Sequence, residues 1–313
     1  MSRKIFLHLT GGLGNQLFQL AAGLSQVEPE RDVLYVDTSL GKPRSTDGIA
    51  DIFSFKLPKE VHDLKLNSSN LACKTAGFLL RSGISPRGIE RARLIKSLLQ
   101  AIGSLILSGH FKERIKVAVS HDVGFQNLEE DNNRLLIGYF QSYRYLENLK
   151  KDFRFDYLQP IEISEELEEL IKKAQAEKPI FVHLRFTDYV KEKKFGLPGI
   201  TYYRNALNWL RTDNRAIWVF SDDHSRALET LPSEFQSQYV FINDSSLTPV
   251  QVLHLLRFGD GYVIANSSFS WWGASLRADR TSKVVAPEPW FAGMPEPMDL
   301  IPVDWHREKA HFD

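Results

Sequence analysis

The sequence holds a single cysteine, Cys73, among 313 residues. An intramolecular disulfide and a cysteine-built zinc site are therefore excluded, and Cys73 is expected as a small buried hydrophobe. Charge of one sign is lacking too. Lys and Arg total 39 against 39 Asp and Glu, for a formal net charge of zero, so no global field favours nucleic acid. No hydrophobic run approaches the ~20 residues of a bilayer span; the longest weakly polar stretch is Ser97 to Gly109. The apolar run Ile5 to Leu9 is shorter than a signal-peptide core. A cytoplasmic location is the expectation. Internal repeats, low-complexity tracts and His/Asp/Glu clusters with ligand spacing are also missing, so no metal site is expected.

The chain does have length for about two domains and an unusual aromatic load, 12%, from 20 Phe, 10 Tyr and 6 Trp. Aromatics build cores, and they also suit the C–H faces of sugars. Short apolar runs alternate with longer amphipathic ones, which predicts an α/β protein made of βα units. Strands are expected at 4–9, 33–37, 135–139, 180–184, 216–221, 239–242, 261–265 and 283–286. Helices are expected at 15–26, 90–107, 164–176, 201–210, 249–258 and 269–279. Ser164 looks like an N-cap, followed by Glu165 and Glu166, with Lys172 and Lys173 closing the helix. A boundary near 160 divides the chain into 1–160 and 161–313, with the last residues free to pack back on the N-terminal domain.

Four segments carry chemistry. Thr10-Gly11-Gly12-Leu13-Gly14-Asn15-Gln16 lies between a strand and a helix, where missing Cβ atoms let backbone N–H groups approach a ligand. A dinucleotide fingerprint competes with this reading, and Asp37 stands near the ribose-binding spacing. However, Leu17 occupies the third glycine position. His183-Leu184-Arg185-Phe186-Thr187-Asp188-Tyr189 leaves a buried strand. A guanidinium at the carboxyl end of a parallel strand suits a diphosphate, and pairing of Arg185 with Asp188 is the plain structural alternative. Asn266-Ser267-Ser268-Phe269-Ser270, ahead of Trp271-Trp272, joins a strand to a helix and is expected as a second anion cradle, with plain helix capping as the structural alternative. At Asp222-Asp223, capping of the next helix is favoured over metal binding.

These segments together resemble glycosyltransferase family 11, the α-1,2-fucosyltransferases. The match runs in order along essentially the whole chain: Gly11 to Gln19, Gly138-Tyr139-Phe140-Gln141-Ser142, His183-x-Arg185-x-x-Asp188-Tyr189, Phe220-Ser221-Asp222-Asp223 and Asn266 to Trp272. Where the family reads His-x-Arg-Arg-Gly-Asp-Tyr, this chain has Phe186 and Thr187. The resemblance implies a GT-B-like fold, two Rossmann-like α/β domains with a cleft between them. It implies transfer of L-fucose from GDP-β-L-fucose, with inversion and without a metal, to a galactose O2 of a glycan acceptor. GDP-fucose would be a co-substrate, and no cofactor is expected. The candidate catalytic residues are Arg185, which matches the family's diphosphate-contacting arginine, Asp188 and Asn15. The candidate donor contacts are Gly12, Gly14, Gln16, His183, Asp222, Asn266, Ser267, Ser268, Phe269 and Ser270. The 1–160 domain would hold the acceptor and the 161–313 domain the nucleotide sugar. A non-catalytic sugar-nucleotide or glycan-binding protein is the alternative, and an NAD-dependent dehydrogenase a more distant one.

Residues 81–116 carry eight Lys or Arg against Glu90 and Glu113, interleaved with apolar residues such as Leu98, Leu99, Leu105 and Ile106. The pattern suits a basic amphipathic surface resting on the inner face of a membrane, where a lipid-linked acceptor would be met. A core-packed helix with a solvated basic face competes with it. Restoring the family pattern through Phe186→Arg is expected to be tolerated, with tighter donor binding if residue 186 edges the cleft; if it is sealed in the core, the unpaired charge unfolds the protein.

Overall fold

The computed structural model describes residues 3–37, 49–64, 93–120, 123–127, 133–149, 153–186, 194–210, 214–242 and 246–312. Cys73, Asp188 and residues 81–92 lie outside these ranges. The chain divides into two compact units, Met1–Tyr157 with Pro297–Leu300, and Leu158–Glu296 with Ile301–Asp313. The piece that returns to the first unit is therefore Pro297–Leu300 and not the C-terminal end. Asp299 holds it there, accepting the Tyr143 N–H at 2.9 Å through its carbonyl and lying 3.1 Å from Arg144 Nε through its carboxylate.

The first unit contains β1 (Lys4–His8), α1 (Leu13–Leu24), β2 (Val33–Asp37), β3 (Val61–Asp63), α2 (Arg93–Phe111), β4 (Ala118–Ser120), β5 (Arg134–Leu136), α3 (Arg144–Glu147) and α4 (Phe153–Asp156). Its sheet runs β3-β2-β1-β5-β4, with every pairing parallel. Ile5, Phe6 and Leu7 are all buried, as a strand covered on both faces requires.

The second unit contains α5 (Glu165–Glu177), β6 (Ile180–Leu184), α6 (Ile200–Leu210), β7 (Ile217–Ser221), α7 (His224–Thr230), β8 (Tyr239–Phe241), α8 (Pro249–Leu255), β9 (Gly261–Val263), α9 (Ser268–Ser275), β10 (Lys283–Glu288) and β11 (His306–Lys309). Its sheet runs β11-β10-β9-β6-β7-β8, again all parallel. Ser164 caps α5 by accepting the Leu167 N–H at 3.3 Å. The helix ends on Lys178 in the left-handed region at φ 47°, directly before Pro179, and its last turn carries no basic residue.

Each sheet order contains a switch point. In the first sheet the chain steps from β1 to β2 and β3 on one side, then crosses to β4 at the far edge and steps back to β5 beside β1. In the second it steps from β6 to β7 and β8, then returns to β9 on the other side of β6. Open α/β sheets bind ligands beyond the carboxyl ends of the strands at such switch points. The core of the second unit gathers Ile180, Val182, Leu184 and Phe186 with Tyr202, Tyr203, Leu207, Val263 and Val285. Phe186 is 5% exposed, because it extends the inward alternation of 180, 182 and 184. It does not edge a site, and the expected tolerance of arginine there is reversed.

Candidate active site

Arg185 follows β6 directly and keeps 31% of its side chain exposed, with Nε 3.4 Å from Asp222 Oδ2. Asp222 Oδ1 accepts the Phe186 N–H at 2.9 Å. Asp222 stands just past Ser221, the register partner of Leu184, so adjacent strands bring the pair together. Among the described residues, a carboxylate just past the end of β7 thus steers Arg185. The neighbouring Asp223 caps α7, accepting the Arg226 N–H at 3.0 Å.

Across the switch point, the start of α9 meets the end of β6. His183 Nδ1 lies 2.7 Å from Ser270 Oγ, and its ring is tilted against Phe269 with centroids 5.5 Å apart. Burial, reinforced by the Arg185 cation and only partly opposed by Asp222, pushes the His183 pKa down to about 4. At neutral pH the ring is uncharged and offers hydrogen bonds and shape to a phosphate, not charge.

The Asn266–Ser270 run divides its duties. Asn266, 1% exposed, donates through Nδ2 to Phe195 O at 3.0 Å and Gly196 O at 3.1 Å, clamping the turn to a distant loop. Ser267 caps α9 by accepting the Phe269 N–H at 3.3 Å. Ser268 and Phe269 stay partly exposed, whereas Trp271 and Trp272 are fully buried. Tyr202 supports the turn from below: its hydroxyl donates to Ile264 O at 2.6 Å, with Val285 O at 3.1 Å. Burial raises its pKa well above the ordinary phenol range. Its role went unread, since a hydroxyl on a buried helix face signals only that some partner exists.

The remaining candidates lie in the first unit. Gly11 has φ 81°, and a Cβ there would come within 2.8 Å of Asn15 Nδ2. Gly12 begins α1 without a side-chain cap, facing open space. Asn15 Oδ1 accepts from Gln141 Nε2 at 2.8 Å. Gln16 donates to Gly11 O at 3.0 Å, and Gln19 donates to Gly138 O at 2.7 Å while accepting the Thr10 N–H at 3.0 Å. Thus Gly12, Gly14, Asn15 and Gln16 cluster at one switch point, and His183, Arg185, Asp222 and residues 266–270 at the other. Asp188 lies outside the described residues. Among the described residues, no group of three or more His, Cys, Asp or Glu is placed to hold a metal ion. No helix among them is long and apolar enough to cross a membrane.

The family model described as Glycosyl transferase family 11 matches residues 101–294, more than half of the chain. The chain belongs to glycosyl transferase family 11. It is a glycosyltransferase, which displaces the dinucleotide-fingerprint reading of the first turn. It is similar to the alpha-1,2-colitosyltransferase of Escherichia coli, at 29% identity over 294 residues covering 92% of each protein. It is also similar to the O-antigen biosynthesis glycosyltransferase WbnK of Escherichia coli, at 27% identity over 91% of this chain and 94% of that protein. The crystal structure of fucosyltransferase NodZ from Bradyrhizobium overlays at 13% identity, covering 88% of this chain and 94% of that one, with a TM-score of 0.46. An overlay this loose says nothing of donor or acceptor. The family 11 match spans both Arg185 and the Asn266–Ser270 turn.

Proposed function

We propose that this family 11 enzyme transfers L-fucose from GDP-β-L-fucose, with inversion, to the O2 of a galactose-terminated glycan. The observation that carries the reading is Arg185 at the β6–β9 switch point, steered by Asp222 and adjoining the start of α9. As the acceptor oxygen attacks the anomeric carbon, negative charge grows on the departing diphosphate. A partly exposed guanidinium and the N–H groups at the α9 start favour that charge selectively in the transition state. His183, Ser268 and Phe269 would complete the nucleotide contacts, Asn266 and Ser267 would hold the turn, and Ser270 would fix His183. The first unit would supply the acceptor side through Gly12, Gly14, Asn15 and Gln16. Neither a cofactor nor a metal is required, since fixed cationic and N–H groups take the place of a bridging ion.

A second donor is favoured by the colitosyltransferase relative: colitose is fucose without its 3-hydroxyl, so GDP-colitose would fit much of the same site. The test is transfer from GDP-fucose and from GDP-colitose to lactose and to other galactose-terminated acceptors, with and without excess EDTA, followed by linkage analysis of the product. An α-1,2-fucosylated galactoside formed in EDTA is the expected result. Binding of GDP-sugars without turnover would favour the non-catalytic alternative, and loss of turnover restored by magnesium would require a metal.

A further inference from the structure

We propose that Phe195, paired with Phe291, forms the apolar wall that receives the C6 methyl of the donor sugar and so selects 6-deoxy sugars; this rests on the donor reading above. The ring centroids lie 5.6 Å apart, with the planes 35° from parallel. Phe291 is 8% exposed and Phe195 is half-buried. Both belong to the second unit, which also carries Arg185 and the turn into α9. Neither ring has a part in the nucleotide contacts proposed above.

The loop that carries Phe195 is fastened at the switch point. Phe195 O accepts from Asn266 Nδ2 at 3.0 Å and from the Ala292 N–H at 3.1 Å, and Lys194 O accepts the Gly293 N–H at 2.9 Å. Asn266 opens the turn into α9, so the backbone of Phe195 lies one hydrogen bond from the segment proposed to meet the diphosphate. Gly196 has φ 70°, and a Cβ there would come within 2.6 Å of Phe312 and 2.7 Å of Ala292. Glycine alone permits that backbone so close to its neighbours, and the packing pins the ring before it. A wall fixed before the sugar arrives avoids the cost of ordering it on binding.

Sheet order indicates which end of the donor the wall meets. β9, which leads into α9, lies between β10 and β6. Phe291 follows β10, whereas Arg185 and Asp222 follow β6 and β7. Beyond them the His224 ring, at the start of α7, lies 5.3 Å from that of Phe241 at the end of β8. A diphosphate at the α9 start would thus have polar and aromatic groups on its β7–β8 side and two phenyl rings on its β10 side. Guanine needs donors and acceptors around its edge, which the first side offers. A methyl group needs neither, and gains from dispersion contact and exclusion of water against a phenyl ring. Fucose and colitose share that methyl, so one wall serves both donors.

The test compares kcat/KM for GDP-β-L-fucose and for GDP-β-L-galactose, which differs only by a hydroxyl on C6. The proteins are the wild type, Phe195→Ala and Phe195→Leu, each with GDP affinity and thermal melting measured. The wild type is expected to prefer GDP-fucose by about ten- to a hundredfold, as an apolar pocket does against an added hydroxyl. Phe195→Ala is expected to narrow the preference to within about threefold, with GDP affinity unchanged. A wild type without the preference overturns the assignment, as does a folded Phe195→Ala that keeps it. Equal loss of affinity for GDP and GDP-fucose in Phe195→Ala also overturns it, since the ring would then serve the base. Should Phe195→Ala fail to fold, an unaltered preference in Phe195→Leu overturns it instead. A wild type that neither transfers nor hydrolyses GDP-fucose or GDP-colitose removes the donor reading and the wall's ligand with it, an outcome distinct from an active enzyme indifferent to Phe195.

Discussion

Arg185 and Phe186 are adjacent in sequence and opposite in environment: one is 31% exposed beside Asp222, the other packs among Leu184, Tyr203 and Leu207. Arg185→Ala is expected to lower turnover at least about tenfold without loss of fold, since a charged hydrogen bond to an oxyanion contributes about 1.5–3 kcal/mol. Arg185→Lys recovers only part of the loss, because an ammonium lacks the two-point contact. Near-normal turnover in the alanine variant would sink the assignment. Phe186→Arg would bury an unpaired charge and is expected to cost about 3 kcal/mol or more, read as a large drop in melting temperature without nucleotide. A folded variant with tighter GDP binding would show that the side chain reaches the nucleotide after all. Position 186 could not be judged from the motif alone, where an arginine is the norm. Its meaning comes from the alternation of β6, which points even-numbered residues inward.

At the scale of elements, the burial of His183 where β6 meets α9, beside the Arg185 cation, makes a pH-sensitive latch. The His183 pKa falls from 6.5 to about 4 on folding. The unfolded chain therefore takes up the proton first as pH drops. The latch contributes fully above pH 6.5, and its contribution fades as pH approaches 4, by at most about 3 kcal/mol. Urea melts at pH 7 and pH 4.5 should show this loss, and His183→Asn should flatten it; equal pH dependence in both proteins would refute the latch. The inner strands and the caps at Ser164 and Asp223 were legible because each depends on residues adjacent in sequence. The strands β3, β4 and β11 escaped notice for the opposite reason. All three are sheet edges of three or four residues, paired on one side only, so no long apolar run marks them.

Across the whole molecule, α2 shows how burial divides one amphipathic stretch. Leu99, Ile106 and Leu107 enter the core of the first unit, while Leu98 and Leu105 remain 49% and 64% exposed, with Lys112, Arg114 and Lys116 exposed beyond the helix. The core-packed reading therefore holds for one face, while Leu98 and Leu105 stay exposed on the helix and the basic residues follow its end, a combination that anionic lipid attracts. The chain is expected to sediment with phosphatidylglycerol vesicles at low salt, and a Leu98→Asp, Leu105→Asp double variant to release them; equal sedimentation of both would exclude this face. The amino-acid sequence by itself determined the α/β class, the inner parallel strands, the two turns that join strand to helix at Gly11–Gly14 and Asn266–Ser270, and the family, since these rest on local runs and short motifs. Only the tertiary structure decided that Asp222 steers Arg185, that Asn266 clamps a loop while Ser270 meets His183, and that His8 pairs with Asp37. Those partners come from separate strands, and strand order within a sheet is set by packing among distant segments, so no local pattern encodes which side chains meet at a switch point.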